Sequence, residues 1–270
     1  MKRLLLTPLA VTLLLAPAAS AEELPFTAGT VIDTGNGGTR VRAGDLDGDG
    51  DLDLVAAYET DSEIVVYLND GGGASWTSNT ISIGTPYGMD LGDYDHDGDL
   101  DITSGSASGD HGLWVHQNDG TGASWTLINL VVSSFTGGDA MFADVDANGT
   151  LDVVNADTDG TNLVFGMDHD GTVGQAVIAN GGRAAATAAQ AVDIDGDGDL
   201  DPSILGSGAI DAWQNTHADL VGGCNQPCLD GPGVNLVTLA DLFDFVYADI
   251  DGDADLDIVA TTTGGGDAVV

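Results

Sequence analysis

One phrase recurs five times along this chain and constrains its fold more than any other feature. It reads Asp45-Leu-Asp47-Gly-Asp49-Gly50-Asp51-Leu-Asp53 in the first copy and Asp93-Tyr-Asp95-His-Asp97-Gly98-Asp99-Leu-Asp101 in the second. The third, Asp144-Val-Asp146-Ala-Asn148-Gly149-Thr150-Leu-Asp152, carries Asn and Thr at positions 5 and 7. The fourth, Asp193-Ile-Asp195-Gly-Asp197-Gly198-Asp199-Leu-Asp201, restores the full form. In the fifth, Asp249-Ile-Asp251-Gly-Asp253-Ala254-Asp255-Leu-Asp257, alanine replaces the turn glycine. Successive copies start 48, 51, 49 and 56 residues apart. A period near 50 marks an array of one repeated unit.

The rest of the unit repeats more weakly. An apolar run such as Leu54-Val55-Ala56-Ala57 follows the loop, then Ile64-Val65-Val66-Tyr67-Leu68, ending in Asn69-Asp70-Gly71, with Asn118-Asp119-Gly120 as its counterpart. Gly73-Ala-Ser-Trp76-Thr matches Gly122-Ala-Ser-Trp125-Thr, and equivalent tryptophans at one repeat position suit packing between units. Each unit therefore holds about four short strands joined by tight turns. The 40 glycines, and an acidic set of 40 Asp against 4 Glu, favour turns over helix. A lone four-stranded sheet cannot bury both faces, but radial packing against neighbours can. The expectation is an all-β fold, a β-propeller of about five four-stranded blades. The alternatives are part of a larger ring, of seven blades for example, and a stacked solenoid, whose period would be shorter.

Carboxylates at loop positions 1, 3 and 5 converge if the chain curls around a point. Glycine at position 6 permits the turn, position 7 offers its carbonyl and position 9 closes the sphere. Oxygen ligands without His or Cys suit Ca²⁺, with Mg²⁺ and Mn²⁺ as alternatives, over Zn²⁺. Like charges about 4 Å apart repel by about 4 kcal/mol per pair near a surface, so the clusters call for a cation. An EF-hand would need a Glu at position 12, where Ala56, Ser104, Asn155, Ile204 and Ala260 stand.

With these loops the chain resembles the FG-GAP/VCBS repeat family, the integrin-α-like calcium-binding propellers. The resemblance implies ligands at positions 1, 3, 5, 7 (by carbonyl) and 9. In this chain these are Asp45, Asp47, Asp49, Asp51 and Asp53; Asp93, Asp95, Asp97, Asp99 and Asp101; Asp144, Asp146, Asn148, Thr150 and Asp152; Asp193, Asp195, Asp197, Asp199 and Asp201; and Asp249, Asp251, Asp253, Asp255 and Asp257. It implies about four to five Ca²⁺ ions. Pro202, just after the fourth loop, reads as the mark of an edge strand, and His96 as the occupant of a variable loop position.

Lys2-Arg3, the apolar run Leu4 to Leu15, and Ala19-Ser20-Ala21 read as a signal peptide cut after Ala21, leaving residues 22–270 as one propeller domain. The apolar core is too short to span a membrane comfortably. The expected destination is secreted, periplasmic or at the cell surface. Loss of Lys2 and Arg3 takes the formal charge from −39 to −41, with Arg40, Arg42 and Arg183 the remaining fixed cations. Such a surface repels nucleic acid and anionic lipid. Cys224 and Cys228, in Cys-Asn-Gln-Pro-Cys, suit a local disulfide in an oxidising compartment. They sit in an insertion of about Thr216 to Gly233, which could serve recognition or be inert.

Nucleophile-elbow, zinc-protease, phosphate-loop and dinucleotide motifs are absent from the sequence. His96, His111, His116, His169 and His217 are scattered. The function expected is non-enzymatic recognition or adhesion, with carbohydrate or an extracellular protein as partner. Alternatives are a polysaccharide lyase or glycosidase on the same scaffold, or a structural module of a larger surface protein. If the ring closes on itself, Thr30 to Asp33 would pair with the last blade near Val270.

Overall fold

The computed structural model describes residues 31–82, 84–106, 112–130, 138–145, 147–157, 163–167, 173–178, 186–215, 233–253 and 255–263. The expected signal peptide, Cys224 and Cys228, most of their insertion, Asp146, Ala254, His111, His169, His217 and the segment around Val270 lie outside them. Of the short N-terminal unit, residues 1–33, only 31–33 are described, and these lie in no strand.

The larger unit, from Thr34 onward, is all β; among the described residues it holds no helix. Strands β1 (Gly38–Gly44), β2 (Asp53–Tyr58), β3 (Glu63–Asn69) and β4 (Trp76–Ser82) form the first sheet in sequential order. The second is β5 (Pro86–Gly92), β6 (Asp101–Ser106), β7 (Gly112–Asn118) and β8 (Trp125–Asn129). The third is β9 (Gly138–Ala143), β10 (Asp152–Asp157), β11 (Leu163–Met167) and β12 (Val173–Ile178). The fourth is β13 (Ala186–Val192), β14 (Asp201–Gly206), β15 (Ala209–Ala212) and β16 (Val234–Thr238); β17 (Leu242–Ala248) and β18 (Asp257–Thr262) are the described strands of a fifth. Every pairing is antiparallel. The first strands pack on one another in succession, β1 on β5, β5 on β9, β9 on β13 and β13 on β17, so each sheet is a blade of a β-propeller.

The blades are held by apolar layers between neighbours. Val55, Ala57, Ile64 and Val66 of blade 1 meet Met89 and Ile102 of blade 2. Leu113 and Val115 of blade 2 meet Ala140, Phe142 and Val153 of blade 3. Val154 and Ala156 meet Ala189 and Ile204, and Leu205 and Ile210 meet Phe245 and Ala260. Strand alternation explains the layers, since residues two apart share a face. The leucine at loop position 8 belongs to this packing: Leu100, Leu151 and Leu200 each lie against the layer shared with the preceding blade. Trp125 packs into the layer between blades 1 and 2, whereas Trp76 is half-buried on the outer strand of blade 1. At the ends of the array the equivalent positions are uncovered: Val41 is 60% and Leu52 63% exposed on blade 1, and Ile250 is 55% exposed on blade 5.

Pro202 corrects the edge-strand expectation. It lies in β14, which pairs with β13 on one side and β15 on the other. In blade 2 the equivalent Ile102 pairs with His116; in blade 4 the ladder stops at Ser203 with Ala212, leaving only the Trp213 N–H donated to the Pro202 carbonyl at 3.0 Å. The missing proline N–H thus costs a rung of an interior ladder and coincides with a four-residue β15.

The asparagine that ends the third strand ties one blade to the next. Asn118 donates from Nδ2 to the Leu46 carbonyl of blade 1 at 2.7 Å and to the Leu100 carbonyl of its own blade at 3.3 Å. Asn215, three residues past the end of β15, does the same with the carbonyls of Val145 in blade 3 and Leu200 in blade 4. The Asn118 Oδ1 accepts the Gly122 N–H at 3.0 Å, holding the turn into β8. The amide side chain of Asn69 bonds within its own blade, to Leu52, Gly71 and Gly73. Replacing Asn118 by Ala strands buried carbonyls and should cost roughly 2–3 kcal/mol in urea unfolding. Asn69→Ala, which breaks no bond between blades, should cost measurably less.

Candidate metal centres

Each repeated loop joins a blade's first strand to its second, and its last aspartate is the first residue of the second strand. That aspartate is buried: Asp53, Asp101 and Asp152 are inaccessible and Asp201 nearly so, while Asp257 is half-buried. Its Oδ2 accepts the N–H of loop position 2 in every copy, from Leu46, Tyr94, Val145, Ile194 and Ile250, at 2.8–2.9 Å. In three blades its Oδ1 accepts an asparagine N–H, from Asn69 and Asn118, the last residues of β3 and β7, both at 2.8 Å, and from Asn215, three residues past β15, at 2.7 Å.

The remaining aspartates curl the loop. The position 1 carboxylate accepts the N–H of the position 6 glycine in four copies, from Gly50, Gly98, Gly149 and Gly198 at 2.9–3.2 Å. Position 3 accepts the N–H of position 5 in Asp47, Asp95, Asp195 and Asp251. Position 5 accepts that of position 7, and Asn148 keeps this bond to Thr150 at 2.7 Å. The glycines at position 6 have φ of 87–101°. Position 4 is equally left-handed, with φ of 74°, 61°, 53°, 79° and 81° at Gly48, His96, Ala147, Gly196 and Gly252. His96 therefore occupies a conformationally demanding position, not a free one, and Ala147 bears the same constraint without a glycine.

This folding gathers carboxylate oxygens. One from each of Asp45, Asp47 and Asp53 lies within 4.8 Å of the others, and so do those of Asp93, Asp95 and Asp101 and of Asp249, Asp251 and Asp257. In the fourth loop the group is Asp193, Asp195 and Asp197. Asp49, Asp97, Asp253 and Asp201 are outside these groups, as are the side chains of Asp51, Asp99, Asp199 and Asp255, which were expected to contribute carbonyls. The third loop cannot be compared, because Asp146 lies outside the described residues.

The donor set fits a hard divalent cation. Asp93 Oδ1 and Asp197 Oδ2 are buried without a hydrogen-bond partner, a costly state that a cation would relieve. Burial, the mutual repulsion of neighbouring aspartates, or both push the carboxyls of Asp47 and Asp95 above the usual range. Burial raises Asp101 to about 6 against the pull of two backbone N–H donors. Gln117 donates to Asp95 Oδ2 at 3.1 Å, and Gln214 makes the equivalent bond to Asp195, orienting the position 3 carboxylate from outside the loop. Sequence reading missed these glutamines; their signal is the repeated Gln-Asn pair, Gln117-Asn118 at the end of β7 and Gln214-Asn215 just past β15.

One pair elsewhere has the composition of a nucleophile and its base. Ser104 Oγ lies 2.9 Å from His116 Nε2. Both residues are fully buried, His116 Nδ1 has no hydrogen-bond partner, and burial pushes the imidazole down to about 4. A neutral, enclosed imidazole with no orienting group is a packed core pair.

Ala147→Gly should raise stability by about 0.5–1 kcal/mol in urea unfolding, since the change removes a left-handed Cβ. A divalent cation in the second loop would compete with protons at Asp101. Its raised carboxyl must be ionised to bind, so affinity at the second loop should fall by about tenfold for each pH unit below about 6, measured by calorimetric titration.

Residues 45–104 and 93–155 match the model of the FG-GAP-like repeat. No curated protein matches the chain. Among solved structures, it resembles BBS1N as crystallised in complex with ARL6DN and soaked with lead, at 16% identity and a TM-score of 0.50. That match covers 89% of this chain and 64% of the other. The mercury-soaked crystal of the same complex matches at 17% identity and a TM-score of 0.51, covering 86% and 64%. The chain thus spans a little under two thirds of the length of these structures, and at such identity the likeness concerns the fold alone.

Proposed function

From its standing as an FG-GAP-like repeat protein with a propeller fold, we propose that this chain is an exported, calcium-binding recognition module without enzymatic activity. The observation that carries the reading is the convergence of three carboxylates in each of four equivalent loops, two of which hold buried oxygens without partners. In this reading residues 1–21 are a leader removed after Ala21, and residues 22–270 form the propeller. The protein acts outside the cytoplasm, secreted, periplasmic or at the cell surface. Calcium holds each loop, through positions 1, 3, 5, 7 and 9, and the loop holds the second strand. The partner is an extracellular protein or a carbohydrate. The protein arm is supported by the similar BBS1N fold, which was crystallised with the protein ARL6DN. No helix among the described residues is long and apolar enough to cross a membrane.

Chelation tests the metal. A cation bound at a hundred times its Kd stabilises the folded state by about 2.7 kcal/mol per site, so excess EDTA should lower the melting temperature by many degrees. Calcium should restore it, and Asp49→Ala should reduce both the calcium uptake and the shift. A melting curve indifferent to chelator and calcium would refute the metal reading. Turnover of a polysaccharide by the purified chain, abolished by changing one carboxylate outside the loops, would refute the non-enzymatic one.

A further inference from the structure

The opposite ends of the first strands hold a cavity that the metal loops do not explain. Pairing of the first strand with the second slips between Gly38 and Arg40, Pro86 and Gly88, Ala186 and Ala188, and Leu242 and Asp244. The residue skipped is Thr39, Tyr87, Thr187 and Phe243, each six positions before its loop's first aspartate. A bulge re-aims the side chain it frees. All four line one cavity of about 440 Å³, together with Gly38, Arg40 and Glu59. The third blade has no slip there; its equivalent residue is Gly138, which pairs with Asp157 and contributes no side chain. A Cβ on Gly138 would lie 1.4 Å from the Ala156 carbonyl oxygen.

The wall combines rings, acceptors and donors. Tyr87 and Phe243 supply aromatic faces, with Phe243 52% exposed. The Glu59 carboxylate and the Tyr87 hydroxyl have no hydrogen-bond partner among the described residues. Arg40 is fixed across the centre of the array: Nε lies 3.6 Å from Asp139 of β9, one terminal nitrogen donates to the Thr39 carbonyl at 3.1 Å and the other to the Thr187 carbonyl at 3.2 Å. Each terminal nitrogen has a second N–H, so the guanidinium retains donors. Asp139 is almost wholly buried and balances the charge of Arg40. The volume falls in the range of small-ligand sites, which join apolar walls to a few placed polar groups.

We propose that this cavity binds a neutral sugar residue. One face of the ring lies on Tyr87 or Phe243, and hydroxyls donate to Glu59 and accept from Arg40. A ligand with many hydroxyls satisfies an acceptor and a donor at once and carries no charge. An anion would meet Glu59 and the field of a chain with formal charge −39, and an ammonium or guanidinium group offers no acceptor to the Arg40 N–H donors. The assignment rests on the recognition reading and narrows it to its carbohydrate arm.

Saturation-transfer NMR on the full, calcium-loaded chain tests the site with D-glucose, D-galactose, D-mannose, L-fucose and N-acetyl-D-glucosamine. At least one should bind saturably, with a Kd of about 1 mM. Tyr87→Ala and Glu59→Gln should each weaken it by about tenfold, leaving melting temperature and calcium uptake unchanged. Trp76→Ala, outside the cavity, should bind as the parent does. Failure of every sugar to bind, binding that survives both cavity substitutions, or preference for galacturonate or an arginine ester would overturn the proposal. Continued capture of a protein partner by the cavity variants would leave the recognition reading intact while removing the sugar site.

Discussion

The buried aspartate that opens each second strand is the interaction on which the rest of the blade depends. Asp53, Asp101 and Asp201 each accept one N–H from the start of their own loop and one from the end of the third strand. A single carboxylate therefore fixes loop, second strand and third strand together. Charge-assisted bonds of this kind are stronger than neutral ones, yet a buried carboxylate is expensive when its charge is unbalanced. The raised carboxyl of Asp101 shows that expense. A cation in the loop would offset it while drawing in the aspartates at positions 1 and 3. Blade geometry and the fitness of the loop for a cation would thus both follow from one residue's burial.

That coupling spreads through the array. The asparagine whose N–H meets the buried aspartate also reaches, in blades 2 and 4, a loop carbonyl of the preceding blade. The carbonyl belongs to position 2, whose N–H is held by that blade's own aspartate. Each of these loops is therefore clamped from inside by its own carboxylate and from outside by its neighbour's amide. Between the clamps lie apolar layers of mostly modest side chains, such as Ala156, Ala186 and Ala189, suited to closely packed faces. In a repeat architecture, where a unit contacts only its neighbours, such links make one blade's order a condition of the next.

The parts legible in the sequence were those where chemistry and period coincide. Alternating aspartates announced the loops, and the apolar runs after them announced strands, because both patterns derive from local geometry. Three features were not legible, each for a physical reason. The left-handed φ at position 4 is satisfied by Gly in three loops but endured by His96 and Ala147, so residue identity hides it. Pro202 argued against an interior strand, yet β14 keeps the proline by surrendering a rung at the end of a short ladder. The bulges carry two threonines, Thr39 and Thr187, and two aromatics, Tyr87 and Phe243, so no one residue type marks the position. Spacing to the loop makes them equivalent, but Gly138 shares that spacing without a bulge, so only register shows which positions bulge.

The scarcity of positive charge gives the centre of the array a particular meaning. Beyond Lys2 and Arg3 the sequence has three fixed cations, and two of them stand two residues apart on β1. Arg42 pairs with Asp90 of β5 at 3.0 Å, and Arg40 reaches Asp139 of β9 and the Thr187 carbonyl of β13. Surface pairs of this type add little to stability. Each guanidinium connects first strands of different blades and neutralises an aspartate, the buried Asp139 for Arg40 and the part-exposed Asp90 for Arg42. Gly88 fits the same arrangement: a Cβ there would lie 2.3 Å from Asp139 Cα, so β5 and β9 approach as closely as they do because the residue is glycine. The aspartate loops, at the other end of the first strands, gather negative charge that a cation would balance. The two arginines order the centre by the reverse device, a cation on one strand gathering the acidic and carbonyl groups of several others.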